Sequence, residues 1–438
     1  MFAWIGLLLL FQESTPPAGQ EPSGTPTATI LDPLRGSMRV QYRYRATSGA
    51  SDSDLYEFLT LSYGDPDKDR VTAALIARLA EDLDGNKNVR GFYPFGSVED
   101  KYSSWAASFL YTGYLEVRNG ANDLALRAGR QVLESFPEAV AMDGASFRYL
   151  PTPDVTLMVL GGLPVNLFES SPSGDAMYGA AAEWVPDPER RGRYRVEYLH
   201  IRDENVYGLH KDDLVGFSLD EGLGDFHVHA RYTLLEGESR DLVARLTGAV
   251  PDAGFLFRAQ GTYVFHRIEA LSYPLDPYSS FLMDLQPYFD LALAISKSFG
   301  AVILDASYTL RRLVRNGTET TYNHEFDRVE LAPTIRPFDE LSLRFAADFW
   351  NSSGSDFWTF GGDLAWTVHQ DIVLAAGSSY ALYSIDRFTG EERERVSTYS
   401  AGIRWRVSKL SSIDARFLFE RTSIGDYRTL EVGFRHAF

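Results

Sequence analysis

The 438-residue chain has a mass of 49.1 kDa, a formal charge of −18 and no cysteine. The missing cysteines exclude disulfides, thiolate metal sites and thiol nucleophiles, and the negative charge argues against nucleic acid as a partner. Aromatic residues make up 13% of a chain whose mean hydropathy is only −0.20, a combination that fits a sheet with one face in lipid and the other in water.

The first 36 residues carry the features of an export signal and a tether. An apolar run from Ile5 to Phe11 is too short to span a bilayer and is typical of a signal peptide, although no Lys or Arg precedes it. We therefore predict a signal peptide with an atypical start over residues 1–12. Residues 13–36 are rich in Pro, Thr, Ser and Gly, which predicts a disordered periplasmic lead.

Residues 37–438 repeat one pattern, in which about ten to fourteen residues of alternating character end in a turn. Val302–Leu313 and Leu341–Trp350 are clear examples, with an apolar face opposed to a polar one. Segments of this length suit transmembrane strands, which need about nine to eleven residues, better than soluble strands of about five or six. The fold class predicted is all-β, a single transmembrane antiparallel up-and-down β-barrel with an even number of about 18–22 strands.

Short and longer connections alternate along the chain, as they do between the two rims of such barrels. Residues 64–67 and 369–371 form tight links, whereas residues 82–103 and 266–284 form the longest ones. Both long connections contain several aromatic residues, with one proline in the first and two in the second. The alternatives for them are an inward fold that narrows the pore, an outward lid or a surface contact.

A local motif lies in the segment Leu126–Leu133, which contains Gly-Arg-Gln, and in Met142–Ser146, which contains Asp-Gly. It resembles the strand-loop-strand signature of alginate-export and related porin-like barrels. The resemblance implies that Arg127, Arg130 and Asp143 line or shape an electropositive conduit. Strict alternation instead places Arg130 on the lipid side near the outer rim.

The polar faces of the strands are rich in arginine and acidic residues, which stay ionised only in water or in mutual pairs. A barrel of about 18–22 strands is wide enough for an aqueous channel unless something fills it. The predicted pore-lining residues are Arg127, Arg148, Arg195, Arg231, Arg245, Arg258, Arg311, Arg344, Arg404, Arg416, Asp305, Asp348 and Asp363. Their arginines either favour anionic solutes as a set or pair with acids across strands in a stabilising ladder.

The histidines give no sign of catalysis. His227 and His229 share one face of a strand and are interpreted as wall residues or, alternatively, as two ligands of a metal. No Ser-His-Asp arrangement, phosphate loop, dinucleotide fingerprint or zinc motif is present. We predict no enzymatic activity, no catalytic residue, no resident metal and no cofactor.

The C-terminal stretch Leu430–Phe438 alternates apolar and polar residues up to a final phenylalanine. It resembles the terminal signal strand of bacterial outer-membrane β-barrels. The resemblance assigns the assembly signal to Phe438, Phe434, Val432 and Gly433. His436 departs from the pattern, because an apolar or aromatic residue is commoner at its position.

The same resemblance implies a place in the outer membrane of a Gram-negative-type bacterium. The implied partners are membrane lipid or lipopolysaccharide, the barrel-assembly machinery, and a periplasmic or secretion partner as a further candidate. The favoured function is a porin-like channel with an arginine-rich aqueous lumen for small or anionic polar solutes or polymers. The alternative is a structural barrel sleeve that holds a partner protein in a complex across the outer membrane.

Overall fold

The computed structural model describes residues 34–66, 68–85, 104–133, 136–137, 140–165, 175–186, 192–205, 208–265, 287–314, 325–352, 355–385, 392–423 and 425–438. The first half of the strands are β1 (Leu34–Ala46), β2 (Ser51–Tyr63), β3 (Val71–Asp82), β4 (Ala106–Arg118), β5 (Leu124–Leu133), β6 (Val140–Thr152), β7 (Val155–Pro164), β8 (Ala176–Trp184), β9 (Arg193–Asn205), β10 (Gly208–Leu223) and β11 (Phe226–Leu235). The second half are β12 (Glu238–Val250), β13 (Phe255–Val264), β14 (Tyr288–Phe299), β15 (Val302–Leu313), β16 (Phe326–Phe338), β17 (Leu341–Ser352), β18 (Ser355–His369), β19 (Ile372–Ile385), β20 (Glu392–Arg406), β21 (Ser411–Arg421) and β22 (Asp426–Ala437).

The strands form one closed sheet. Each strand pairs antiparallel with the next, and β1 also pairs with β22, which completes a 22-stranded up-and-down barrel. The predicted fold class and the even strand number are confirmed. Because the number is even, β1 begins and β22 ends at the same rim, which we call the terminal rim. In the described residues, no helix is long and apolar enough to span a membrane.

The predicted N-terminal segments fall largely outside the structure. Strand β1 begins at Leu34, slightly before the predicted boundary at residue 37. Residues 1–33 lie outside the described part, so the signal peptide and the lead stay predictions. Residues 86–103 and 266–286, which contain most of the two long connections, also lie outside the described residues.

Alternation gives the barrel two chemically different faces. Large apolar side chains such as Val159, Phe345 and Trp366 share one face and are exposed. The buried side chains of Asp54 and Gln131 belong to the opposite face, with most of the strand charges. Because a closed sheet crowds the side chains on its concave side, the charged face is the inner one and the apolar face is the outer one.

An irregularity in the pairing of β3 with β4 changes the face of the barrel on which the Tyr111 side chain lies. The register between β3 and β4 shifts between Ile76 and Ala77, which is the signature of a β-bulge. As a result, the ring of Tyr111 stacks on inward-facing Phe109 at 6.3 Å and lies 5.7 Å from the Arg78 guanidinium. Strict alternation along β4 would place Tyr111 on the outer face, so the bulge reverses its facing.

The barrel closes around a glycine in β1. Backbone hydrogen bonds join Gly36 and Phe438 in both directions, at 2.8 and 3.0 Å. A Cβ atom on Gly36 would lie 2.8 Å from the Phe438 ring and 2.8 Å from Leu61, so the missing side chain makes room for the ring. His436 lies near this contact, where its Nδ1 is 2.9 Å from the Ser411 hydroxyl. This hydrogen bond gives a partner to His436, the polar residue that breaks the apolar pattern of the terminal strand.

We expect Gly36→Val to lower the free energy of unfolding by about 1–3 kcal/mol, because a new side chain in a filled contact forces neighbouring side chains to move. Denaturant titration of the folded barrel in detergent measures the loss. Gly49→Val is the control, because a Cβ atom at Gly49 meets no atom within 4 Å. In the Phe438→Ala background the cost of Gly36→Val should fall but not vanish, because the sites are coupled and the contact of the new side chain with Leu61 remains. An unchanged cost would show that the ring does not set the requirement for glycine.

Candidate functional site

The inner wall is the candidate site, and the cross-strand register places every predicted pore-lining residue on it. Arg127 lies opposite Ser146, Arg344 opposite Asp363, and Arg404 opposite Asp414. The inward-facing predicted residues are Arg127, Arg148, Arg195, Arg231, Arg245, Arg258, Arg311, Arg344, Arg404, Arg416, Asp305, Asp348 and Asp363. Whether they line a conducting pore stays a prediction.

Some of these residues form the predicted cross-strand ladder. Arg311 donates two hydrogen bonds of 2.7 Å to the carboxylate of Asp290 on the neighbouring strand. Arg127 contacts Glu116 at 2.7 Å, and Arg328 binds Asp348 through two nitrogens at 2.8 and 2.9 Å. Paired guanidinium and carboxylate groups of this geometry stabilise the wall and contribute little net charge to its surface.

Other arginines lack an acidic partner within the described residues. Arg245 donates a hydrogen bond of 3.1 Å to the amide oxygen of Gln260. Arg258 lies opposite Thr247 and Ala294, and the described structure records no ion pair for it. The positive charges of Arg245 and Arg258 are therefore not cancelled by a direct carboxylate contact.

The most buried charged group of the wall lies on β1 and β2. Asp54 is 0% exposed and accepts hydrogen bonds from Arg43 at 2.7 Å and from the Tyr56 hydroxyl at 2.8 Å. Arg45 also approaches it at 3.4 Å and forms a shorter pair with Asp52. This network was missed by the sequence prediction, although its alternation of arginines on β1 and acids on β2 provides the signal.

An apolar cluster occupies a different sector of the inner wall, and the sequence analysis did not predict it. Phe136, from the connection after β5, is 1% exposed and packs among inward-facing apolar residues. We call this group the wall cluster; it comprises Leu133, Phe136, Met142, Leu160, Met177, Ala181, Leu199, Ile201 and Leu214. The connection between β5 and β6 therefore places Phe136 against the inside of the barrel.

Two glycines form notches that receive this connection. A Cβ atom at Gly179 would lie 3.2 Å from the Phe136 ring, and a Cβ atom at Gly216 would lie 2.9 Å from Pro137. The guanidinium of Arg195 lies 5.6 Å from the Phe136 ring centroid. Close packing on a glycine-notched wall explains how Phe136 and Pro137 become buried.

The histidine pair lies on the inner wall, as one of the two interpretations expected. His229 Nδ1 and His227 Nε2 approach the same Asp220 oxygen at 2.9 and 3.4 Å. In the residues that the structure describes, no group of three or more His, Cys, Asp or Glu side chains could hold a metal ion. The two histidines share an aspartate on the wall, and the absence of a resident metal stays a prediction.

The Gly-Arg-Gln motif has residues on both faces. Arg127 faces inward, whereas Arg130 and Asp143 face outward and form a pair with contacts of 2.8 and 2.6 Å. Gly129, which lies between Arg127 and Arg130 on β5, has a φ of 122°, a backbone conformation that favours glycine. The expectation from alternation is correct for Arg130, and the implied conduit role of Arg130 and Asp143 is wrong.

Comparison with known proteins supports the fold. No family model matches the chain, and no curated protein matches its sequence. Among solved structures it is similar to the translocation pore of the P pilus usher PapC, with TM-score 0.53, 9% identity, and coverage of 92% of this chain and 99% of that chain.

Two receptor structures show the same similarity. A mutant of the ferric enterobactin receptor PfeA from Pseudomonas aeruginosa has TM-score 0.57, 9% identity, and coverage of 92% of this chain and 80% of that one. The siderophore receptor PiuA from Acinetobacter baumannii has TM-score 0.51, 9% identity, and coverage of 92% and 82%. The chain thus shares the fold of outer-membrane β-barrel pores and receptors, whereas its resemblance to alginate-export barrels stays a prediction.

Proposed function

We propose that the protein is a porin-like channel in the outer membrane of a Gram-negative-type bacterium, with an aqueous lumen for small or anionic polar solutes or polymers. The observation that carries the proposal is a closed barrel with its charged face inward. Extensive strand contacts join only neighbours in the sheet, so in the described residues opposite walls do not pack together. Ionised side chains on such a wall require water.

The outer face supports a lipid environment. It exposes apolar side chains all around the barrel, among them Leu293, Phe417 and Val432. Trp184 and Trp405 lie on it near the ends of their strands, where aromatic residues are enriched at membrane interfaces. We propose membrane lipid or lipopolysaccharide as the partner of this face.

We further propose that the last strand acts as the assembly signal read by the barrel-assembly machinery. Phe434 and Val432 face outward, whereas Gly433 faces inward over Asp414. Phe438 packs at the closing contact with β1. These contacts give the terminal strand a defined role in closure, which supports a part in assembly.

Anion preference is the selectivity that the inner wall favours. Arg245 and Arg258 face the lumen without an acidic partner in the described residues. Their field reaches a passing solute because screening extends over about 8 Å at physiological ionic strength. Paired arginines such as Arg311 add little net charge to the wall, so arginines without an acidic partner dominate the proposed preference.

Recording in planar bilayers tests the proposal. We expect discrete conductance steps and, under a salt gradient, a reversal potential that shows an anion preference. Arg245→Gln combined with Arg258→Gln should move the ratio of anion to cation permeability toward one. The effect should shrink at about 1 M salt, where the screening length is only about 3 Å.

Arg428→Gln is the matched control, because Arg428 is exposed on the outer face. An anion preference that survives the double substitution contradicts the role of these arginines. Absence of conductance, together with a stoichiometric protein that co-purifies, would favour the alternative of a structural sleeve around a partner.

A further inference from the structure

A group of arginines lies on the inner wall where the barrel closes, close to the terminal rim. We call Arg39 of β1, Arg435 of β22, and Arg404 and Arg406 of β20 the seam arginines. The register aligns Arg406 with Ser412, Ser412 with Arg435, and Arg435 with Arg39. Arg404, two residues before Arg406 on β20, lies farther from the terminal rim and opposite Asp414. The seam arginines therefore come from the first strand and from two of the last three.

Arg39 and Arg435 lie directly opposite each other in the closer of the two kinds of antiparallel pair. Gly36 and Phe438 exchange two backbone hydrogen bonds, and in antiparallel sheets such pairs alternate with pairs that share no hydrogen bond. The register from that pair is continuous, so Arg39 and Arg435, three positions along, form a pair without hydrogen bonds. The Cα atoms of such pairs are only about 4.5 Å apart, and like charges directly opposite each other are destabilising.

Asp414 is the acidic side chain that the register places beside the seam arginines. The carboxylate of Asp414 is 3.5 Å from Arg39 and interacts electrostatically with Arg404. It occupies the space above Gly433, where a Cβ atom would lie 2.8 Å from it. Glu431 on β22, two residues before Gly433, lies farther from the terminal rim, opposite Arg43 and Arg416. The seam arginines and Asp414 together therefore carry an excess of positive charge.

The excess charge is accessible from the lumen. Arg39, Arg406 and Arg435 are exposed, and among the described residues Arg406 and Arg435 have no ion pair. Arg404 interacts electrostatically with all three of these arginines. The guanidinium groups of Arg406 and Arg435, which are exposed and have no ion pair among the described residues, have the chemistry that recognises oxyanions, since each presents a fork of N–H donors.

We propose that the seam arginines bind a small tetrahedral oxyanion, phosphate or sulfate, on the inner wall near the terminal rim. The oxyanion accepts hydrogen bonds from Arg39 and Arg435 and removes the repulsion between the two strands that close the barrel. It stabilises closure as any ligand of the folded state does. This role does not depend on whether solutes pass through the lumen.

Binding of inorganic phosphate to the purified, folded barrel in detergent tests the site. Calorimetric titration should give one phosphate per barrel, and the thermal unfolding midpoint should be higher in phosphate than in chloride at the same ionic strength. Arg39→Gln and Arg435→Gln should each weaken phosphate binding by about tenfold, because each removes a charge-assisted hydrogen-bond donor. Sulfate should compete with phosphate.

The direction in which Arg435→Gln changes the unfolding midpoint distinguishes a phosphate-binding site from an arginine that only stabilises the fold. In chloride, Arg435→Gln should leave the unfolding midpoint unchanged or raise it, because it removes a like-charge contact; in phosphate it should lose the added stability. Arg336→Gln is the control, since Arg336 is exposed near the same rim on β16. A midpoint equal in phosphate and chloride, or a loss of affinity as large in Arg336→Gln, would overturn the proposal.

Discussion

Asp54→Ala is expected to cost about 3 kcal/mol of the free energy of unfolding. The substitution removes the carboxylate that Arg43 and Tyr56 share and that Arg45 approaches. Breaking a buried ion pair from one side costs about 3–5 kcal/mol, because the remaining charge has no compensation. The lower end applies because the Arg43 and Arg45 side chains are 25% and 18% exposed and regain some water in the lumen.

Urea titration of the refolded barrel measures this cost. Asp305→Ala is the matched control, because Asp305 faces the same lumen and has no ion pair among the described residues; we expect a change within about 0.5 kcal/mol. Asp54→Asn should fall between the two, since the amide oxygen still accepts a hydrogen bond but carries no charge. Equal losses in Asp54→Ala and Asp305→Ala would show that the network does not stabilise the fold.

The barrel itself was predictable from alternation. Strand β15 has the bounds that its sequence pattern predicts, Val302–Leu313, because lipid on one face and water on the other impose a period of two over a whole transmembrane length. The same periodicity predicts that Arg245 and Arg258 face inward. Whether a side chain faces the lumen or the outside is decided by its position in its own strand. A single sequence is therefore enough to predict it.

Features that depend on contacts between distant parts of the chain were not predictable. Tyr111 faces the lumen because a bulge adds one residue to the pairing of β3 with β4, and no residue in the sequence marks that bulge. The carboxylate of Asp414 lies above Gly433 among the seam arginines only because β21 and β22 pair in one register and β22 meets β1. Which arginines acquire an acidic partner is likewise decided by register rather than by composition.

Together, the paired and unpaired charges divide the inner wall by role. Arg311 with Asp290 and Arg328 with Asp348 form bidentate pairs that join neighbouring strands. The arginines without such partners leave positive charge facing the lumen. The wall therefore combines a stabilising ladder with separate electropositive sectors, and the preference for anionic solutes stays a prediction for the second group.

Phe136→Ala should release residues 136–137 from the inner wall. Truncating a buried phenylalanine typically costs about 3–5 kcal/mol, because apolar contacts are lost and a cavity remains. Phe136 is enclosed by the wall cluster and by the notch at Gly179, so few neighbours can fill the space. We expect a lower free energy of unfolding and, if the barrel conducts, a larger and noisier single-channel conductance.

The conductance change is specific to an inward-folded segment. Phe147→Ala removes the same side chain from β6, where Phe147 is 39% exposed on the outer face, and should leave the conductance unchanged. Phe136→Leu keeps much of the apolar volume and should restore most of the stability, since swaps that conserve volume are tolerated best. Stability lost in Phe136→Ala with an unaltered conductance would mean that the connection stabilises the wall without narrowing the lumen. If neither quantity changes, Phe136 does not hold the connection against the wall.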